Sequence, residues 1–202
     1  MDSEKAISTE EFTEAQGALL IRLARLSLGT RLGLEGDPEE RLAVEAALAA
    51  DVYQAKRGTF VTLTMGGELR GCIDHLTPIA SVAECVRQNA VSAGFHDPRF
   101  PELTAQEFSR VAIEISILTE PQPFAYTAPD DPIQGLRPEV DGVIINRQGS
   151  SATFLPQVWQ QLSDAERFLS QLCMKAGLPA KSWRDGDLEV STYQVQCFEE
   201  HT

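Results

Sequence analysis

The run Thr59-Phe60-Val61-Thr62-Leu63-Thr64-Met65, followed at once by Gly66-Gly67, commits this chain to an antiparallel hairpin. β-branched and aromatic residues favour extended backbone, and two glycines supply the positive φ angles of a two-residue turn. The return strand reads Glu68 to Ile73. Helical signals stand on both sides. Ser8 with Glu11 has capping-box spacing, and Phe12, Ala15, Leu19, Leu23 and Leu26 recur at helical intervals up to a stop at Gly29. Asp37, Pro38 and Glu40 open a second helix with Leu42, Ala46, Ala49 and Tyr53 on one face. Thr77-Pro78 opens a third, from about Ile79 to Ala93, with Val82, Val86 and Ala90 as its buried stripe.

Beyond the loop Gly94-Phe95-His96-Asp97-Pro98-Arg99-Phe100-Pro101, Val111, Ile113, Ile115 and Ile117 alternate with Ala112, Glu114 and Ser116. That period of two predicts a strand with one buried face. A proline-rich connection, residues 120–142, leads to a strand from Gly142 to Asn146, a turn at Gly149-Ser150 and a return over Ala152–Leu155. Pro156 opens a short helix. Ser163 with Glu166 starts another, carrying Phe168, Leu169, Leu172, Cys173 and Met174 and closed by Gly177. Asp187–Val195 is a last strand, and the residues after it read as a polar tail. With strands and helices interleaved and no internal repeat, the fold class is α/β.

The 202 residues suffice for one sizeable core, and the formal net charge of -13 disfavours nucleic-acid and anionic-membrane partners. The acidic N-terminus lacks the apolar segment of a signal peptide, and no run is long enough to span a membrane. Cys72, Cys85, Cys173 and Cys197 form no close pair, so free thiols and a cytoplasmic setting are expected.

Chemistry concentrates in two places. On an uninterrupted strand from Glu68, Arg70 and Cys72 share a face, with Asp74 continuing it. A cation beside a thiol favours thiolate, so Cys72 is the candidate nucleophile. The bland alternative is a small buried cysteine beside an Arg70–Asp74 pair. His75 and His96 are possible activators of the thiol, or exposed histidines. Asp97 and Arg99, fixed by Pro98, either present a ligand site or make a structural ion pair. Arg70 and Arg99 together would form an anion pocket. The chain has no HExxH, CxxC, GxGxxG or GxxxxGK, so no metal or nucleotide cofactor is expected.

Gly58-Thr59-Phe60-Val61-Thr62-Leu63, Leu69-Arg70-Gly71-Cys72-Ile73, Asp97-Pro98-Arg99-Phe100-Pro101, Asp141-Gly142, Ala152-Thr153-Phe154-Leu155-Pro156-Gln157-Val158 and Leu172-Cys173-Met174-Lys175-Ala176-Gly177-Leu178 occur in this order. Together they resemble the AMMECR1 domain family, in particular its prokaryotic branch, AmmeMemoRadiSam system protein A. The resemblance covers one continuous domain, residues 8–198. It implies an α/β (α+β) fold of two subdomains around a largely antiparallel sheet flanked by helices. It also implies association with Memo-like and radical-SAM proteins. The family's hallmark LRGCIG reads Leu69 to Asp74 here, with Asp74 in place of the last glycine. Three functions follow as alternatives: an accessory protein binding a small anionic ligand, a peptide or a pathway partner near Arg70 and Arg99; an enzyme using Cys72; or a structural interaction module.

Overall fold

The computed structural model describes residues 11–34, 36–75, 80–126 and 134–200, with Asp74 and His75 described in backbone only. The chain divides into two compact units, one of residues 1–118 with 196–202, the other of residues 119–195.

The first unit is built on a four-stranded sheet of order β2-β1-β3-β8, from β1 (Thr59–Met65), β2 (Glu68–His75), β3 (Val111–Leu118) and β8 (Val195–Glu199). The predicted hairpin is present, and Gly66 and Gly67 have φ of 62° and 85°. β1 pairs antiparallel with both β2 and β3. Val61, Leu63, Ile113, Ile115 and Ile117 form one buried sheet face. Helices α1 (Glu14–Arg31) and α4 (Val82–Phe95) cover that face, joined by α2 (Pro38–Ala47) and the short α3 (Asp51–Gln54) and α5 (Ala105–Phe108). Asn89 of α4 is fully buried, and its amide donates to the Thr59 carbonyl at 3.0 Å, fastening helix to sheet.

Several boundaries differ from the sequence reading. Thr13, with Gln16 completing a capping box, starts α1; Ser8 lies outside the described residues. The helix runs through Gly29 to Arg31, and Gly33, at φ 71°, is the residue in the left-handed region. Asp37 caps α2 through the Glu39 N–H, not through a box with Glu40. The second helix also breaks after Ala47, so its buried side is Val44, Leu48 and Tyr53, while Leu42, Ala46 and Ala49 are exposed. Thr77-Pro78 lies outside the described residues, and Ser81 caps α4. The polar tail is in fact β8: Phe198 is buried against Gly17 of α1, where an added Cβ would meet its ring at 2.0 Å.

The second unit carries the sheet β4-β7-β5-β6, from β4 (Gln122–Pro123), β5 (Gly142–Arg147), β6 (Ser150–Phe154) and β7 (Glu189–Tyr193). The β5–β6 turn is Gln148-Gly149, both at positive φ, one residue earlier than predicted. A 3-10 turn over Pro156–Gln160 and helix α6 (Ala165–Lys175) complete it. Asp164, not Ser163, caps α6, because its carboxylate accepts from Arg167 N–H. Trp159 stacks on Phe168 at 3.8 Å within a separate core. Among the described residues no helix is long and apolar enough to cross a membrane.

Candidate functional site

Strand β2 is an edge of its sheet, and its hallmark run is built around a bulge. Leu63 pairs with Gly71 and Thr64 with Leu69, so Arg70 has no partner on β1. The extra residue breaks the alternation expected to line up Arg70 with Cys72. Gly71 and Ile73 oppose Leu63 and Val61 on the core side, whereas Cys72 opposes Thr62. An added Cβ on Gly71 would lie 2.1 Å from the Ala93 carbonyl oxygen, so only glycine lets the α4 backbone come this close.

Arg70 is buried. Its Nε donates to Glu107 Oε1 at 3.0 Å, and one terminal nitrogen donates to Glu107 Oε2 and to the Pro101 and Glu102 carbonyls. Glu107 is lowered to about 2, first by this guanidinium and then by the Thr104 N–H and hydroxyl. Thr104 and Glu107 also form the capping box of α5. Arg70 thus ties the strand to the segment that follows the Asp97-Pro98-Arg99 turn.

The same loop returns the tie. Asp97, only 4% exposed, accepts from the Cys72 N–H at 2.9 Å. It also accepts from the Arg99 N–H at 3.1 Å and from the Arg99 side chain at 2.9 and 2.7 Å. Arg99 in turn donates to the Cys72 carbonyl at 3.2 Å. Both outward backbone groups of Cys72 are therefore satisfied by an aspartate–arginine pair standing where a fifth strand would pair. The Arg99 hydrogen bonds, helped by the Cys72 and Arg99 N–H groups, outweigh burial and hold the Asp97 carboxyl well below the usual range. Arg99 is raised, chiefly by its bond to Asp97. Its side chain is 54% exposed and lies 5.5 Å from the centre of the Phe100 ring.

Cys72 is half-buried, and its Sγ accepts from the Thr62 hydroxyl at 3.4 Å. His96 is exposed at the C-cap of α4, where its N–H donates to the Ser92 carbonyl. Among the described residues no histidine is bonded to the thiol, and no group of acids, cysteines and histidines has metal-binding geometry. The side chains of Asp74 and His75 lie outside the described residues. The structure thus brings Cys72, Asp97 and Arg99 together and sends Arg70 into a separate buried pair. Sequence reasoning missed Glu107 and Thr62. The spacing Thr104-x-x-Glu107 signalled the first, and cross-strand counting from Gly66-Gly67 signalled the second.

The family profile of AMMECR1 matches residues 21–198. The chain belongs to the AMMECR1 family. An AMMECR1-family relative from Methanothermobacter thermautotrophicus is 37% identical over 186 residues, covering 92% of this chain and 94% of that one. A protein from Thermofilum pendens is 35% identical over 202 residues, covering 93% and 91%. The crystal structure of uncharacterized protein PH0010 from Pyrococcus horikoshii is similar to this AMMECR1 domain with a TM-score of 0.70 and 33% identity, over 92% of this chain and 91% of that chain. The mixed helical and antiparallel fold expected from the resemblance is therefore found.

Proposed function

We propose that this AMMECR1-domain protein is an accessory binding protein of Memo-like and radical-SAM partners. In this reading, an anionic group of a partner, peptide or small ligand is received at the outer face of Arg99 beside Cys72. The observation that carries it is how the polar groups are used. Asp97 and the inner edge of Arg99 hold the β2 backbone, and the thiol sulfur accepts a hydrogen bond from the Thr62 hydroxyl where a nucleophile would need a base. These bonds fix a surface in place. The half-exposed guanidinium gives that surface a cation, fixed by Asp97, that can meet a carboxylate or phosphate with little loss of side-chain freedom. His96, exposed at the head of the same loop, is a proposed ligand contact together with Asp74, which by register opposes Phe60 on the Cys72 side of β2; His75 opposes Thr59 on the other side. Arg70 acts as a positioning residue, since its cation is already matched by Glu107. A cytoplasmic setting is part of the proposal, and the four free cysteines support it.

Thiol chemistry at Cys72 is the second reading. One observation favours it: half-buried Cys72 is the residue whose carbonyl the Arg99 guanidinium clasps.

The test uses purified protein with the Memo-like and radical-SAM proteins of the same genome, monitored by biolayer interferometry. Saturable binding to either partner is expected, weakened roughly tenfold or more by Arg99→Gln. Absence of binding to both partners, singly or together, would overturn the accessory reading.

A further inference from the structure

One recess in the first unit uses none of the β2 residues. It is a groove of about 650 Å³ between the C-terminal end of α1 and the start of α2, lined by Thr30, Leu34, Gly36, Pro38, Arg41 and Leu42. A smaller pocket of about 190 Å³ shares Thr30, Leu34, Gly36 and Arg41 and extends to Phe108. Two features set this groove apart. Leu42 and Leu34 are 71% and 37% exposed, so two of the large apolar side chains this surface leaves in water stand in one wall. Helical spacing is the cause, because Val44 and Leu48, four residues apart, take the core side and Leu42 falls on the opposite face.

The second feature is charge. Arg25, in the smaller pocket, is fully used by Glu200 and the Phe108 and Val111 carbonyls. Arg41 is half-buried, and its guanidinium has no hydrogen-bond or ion-pair partner among the described residues. Of the nearby acids, Glu40 is paired with Arg22, Asp37 caps the helix, and Glu39 is exposed in its first turn. A partly desolvated cation, unmatched among the described residues, at the rim of an apolar groove suits one ligand chemistry, a carboxylate carrying an apolar chain. We propose that this groove binds such a small apolar carboxylate, with Arg41 taking the carboxylate and Leu34, Leu42 and Pro38 taking the chain.

Octanoate is the probe, with octanol and octyltrimethylammonium as controls, followed by amide chemical shifts in the full chain. Octanoate should give saturable shifts at Thr30, Leu34 and Leu42. Octanol should bind roughly tenfold or more weakly and the cation more weakly still. Arg41→Gln should reduce octanoate to the affinity of octanol, and Leu42→Ser should weaken both. Leu42 is 71% exposed and Arg41 is not among the buried core residues, so both variants should keep the amide spectrum of the rest of the unit. Saturable shifts centred elsewhere, equal affinity for all three probes, or no saturation would each overturn the proposal.

Discussion

The carboxylate of Asp97 accepts the backbone N–H of Cys72 at 2.9 Å, so a side chain occupies the place of a neighbouring strand. The Arg99 guanidinium completes the imitation by donating to the Cys72 carbonyl. An edge strand that would otherwise offer both groups to another chain is closed at this residue. Asp97→Ala should expose it. The Cys72 amide should exchange with solvent at least roughly tenfold faster than in the wild type, and stability should fall by about 1–3 kcal/mol, the cost of leaving that N–H without its buried acceptor while the half-exposed Arg99 returns to water. Hydrogen exchange and urea denaturation report the two effects.

Acid should undo the same ties in a defined order. Asp97 and Glu107 are both lowered in the folded state, by Arg99 and Arg70 respectively. A lowered carboxyl contributes its full stabilisation above its unfolded value and loses it as pH falls toward the folded one. For Glu107 that window runs from near the ordinary 4.5 down to about 2. Stability should therefore be flat near neutral pH and decline below about pH 5. In Glu107→Gln the decline should be shallower, as read from urea midpoints between pH 2 and pH 7.

Gly71→Ala tests the close approach of α4 to β2. Its Cβ would fall 2.1 Å from the Ala93 carbonyl oxygen, which is backbone and cannot rotate away. A loss at or above the upper end of about 1–3 kcal/mol is expected, with an unchanged dependence on urea concentration. Gly67→Ala is a milder control. There, nothing lies within 4 Å and only the positive φ opposes the change.

Alkylation should sort Cys85, Cys173 and Cys197. Cys85 and Cys173 are buried and should label only on unfolding. Cys197 belongs to an exposed residue, yet its thiol is pushed up by burial, and its Sγ meets the Ser116 hydroxyl at 3.4 Å. It should label slowly at pH 7 and accelerate in alkaline buffer, as followed by peptide mass spectrometry.

The hairpin, the β3 strand and the α4 stripe were legible because each rests on a local pattern: paired glycines, strict alternation, or helical spacing of Val82, Val86 and Ala90. The mixture of helices and strands followed from these elements, and the antiparallel fold from the family resemblance. Boundaries failed where several caps competed. Thr13 and Asp164 won over Ser8 and Ser163, although all four are good capping residues. The strand β8 was hidden because only Phe198 of its five residues is fully buried, which leaves no alternation to read. The site was half legible. Asp97 and Arg99 could be seen as a pair from Pro98 between them, but their target, the Cys72 backbone, is 25 residues away. The bulge at Arg70 depends on pairing with β1 and has no signature of its own in Leu69-Arg70-Gly71.

The central claim is that the Cys72 surface binds and does not react. It is tested most directly by the affinity of Cys72→Ser for the Memo-like protein of the same genome, measured by calorimetry beside the wild type. Equal affinity within about twofold, with Arg99→Gln clearly weaker, is the result this account predicts. Loss of binding in Cys72→Ser, with the wild type and partner joined through a bond that thiol reductant cleaves, would contradict it and make the thiol the working group.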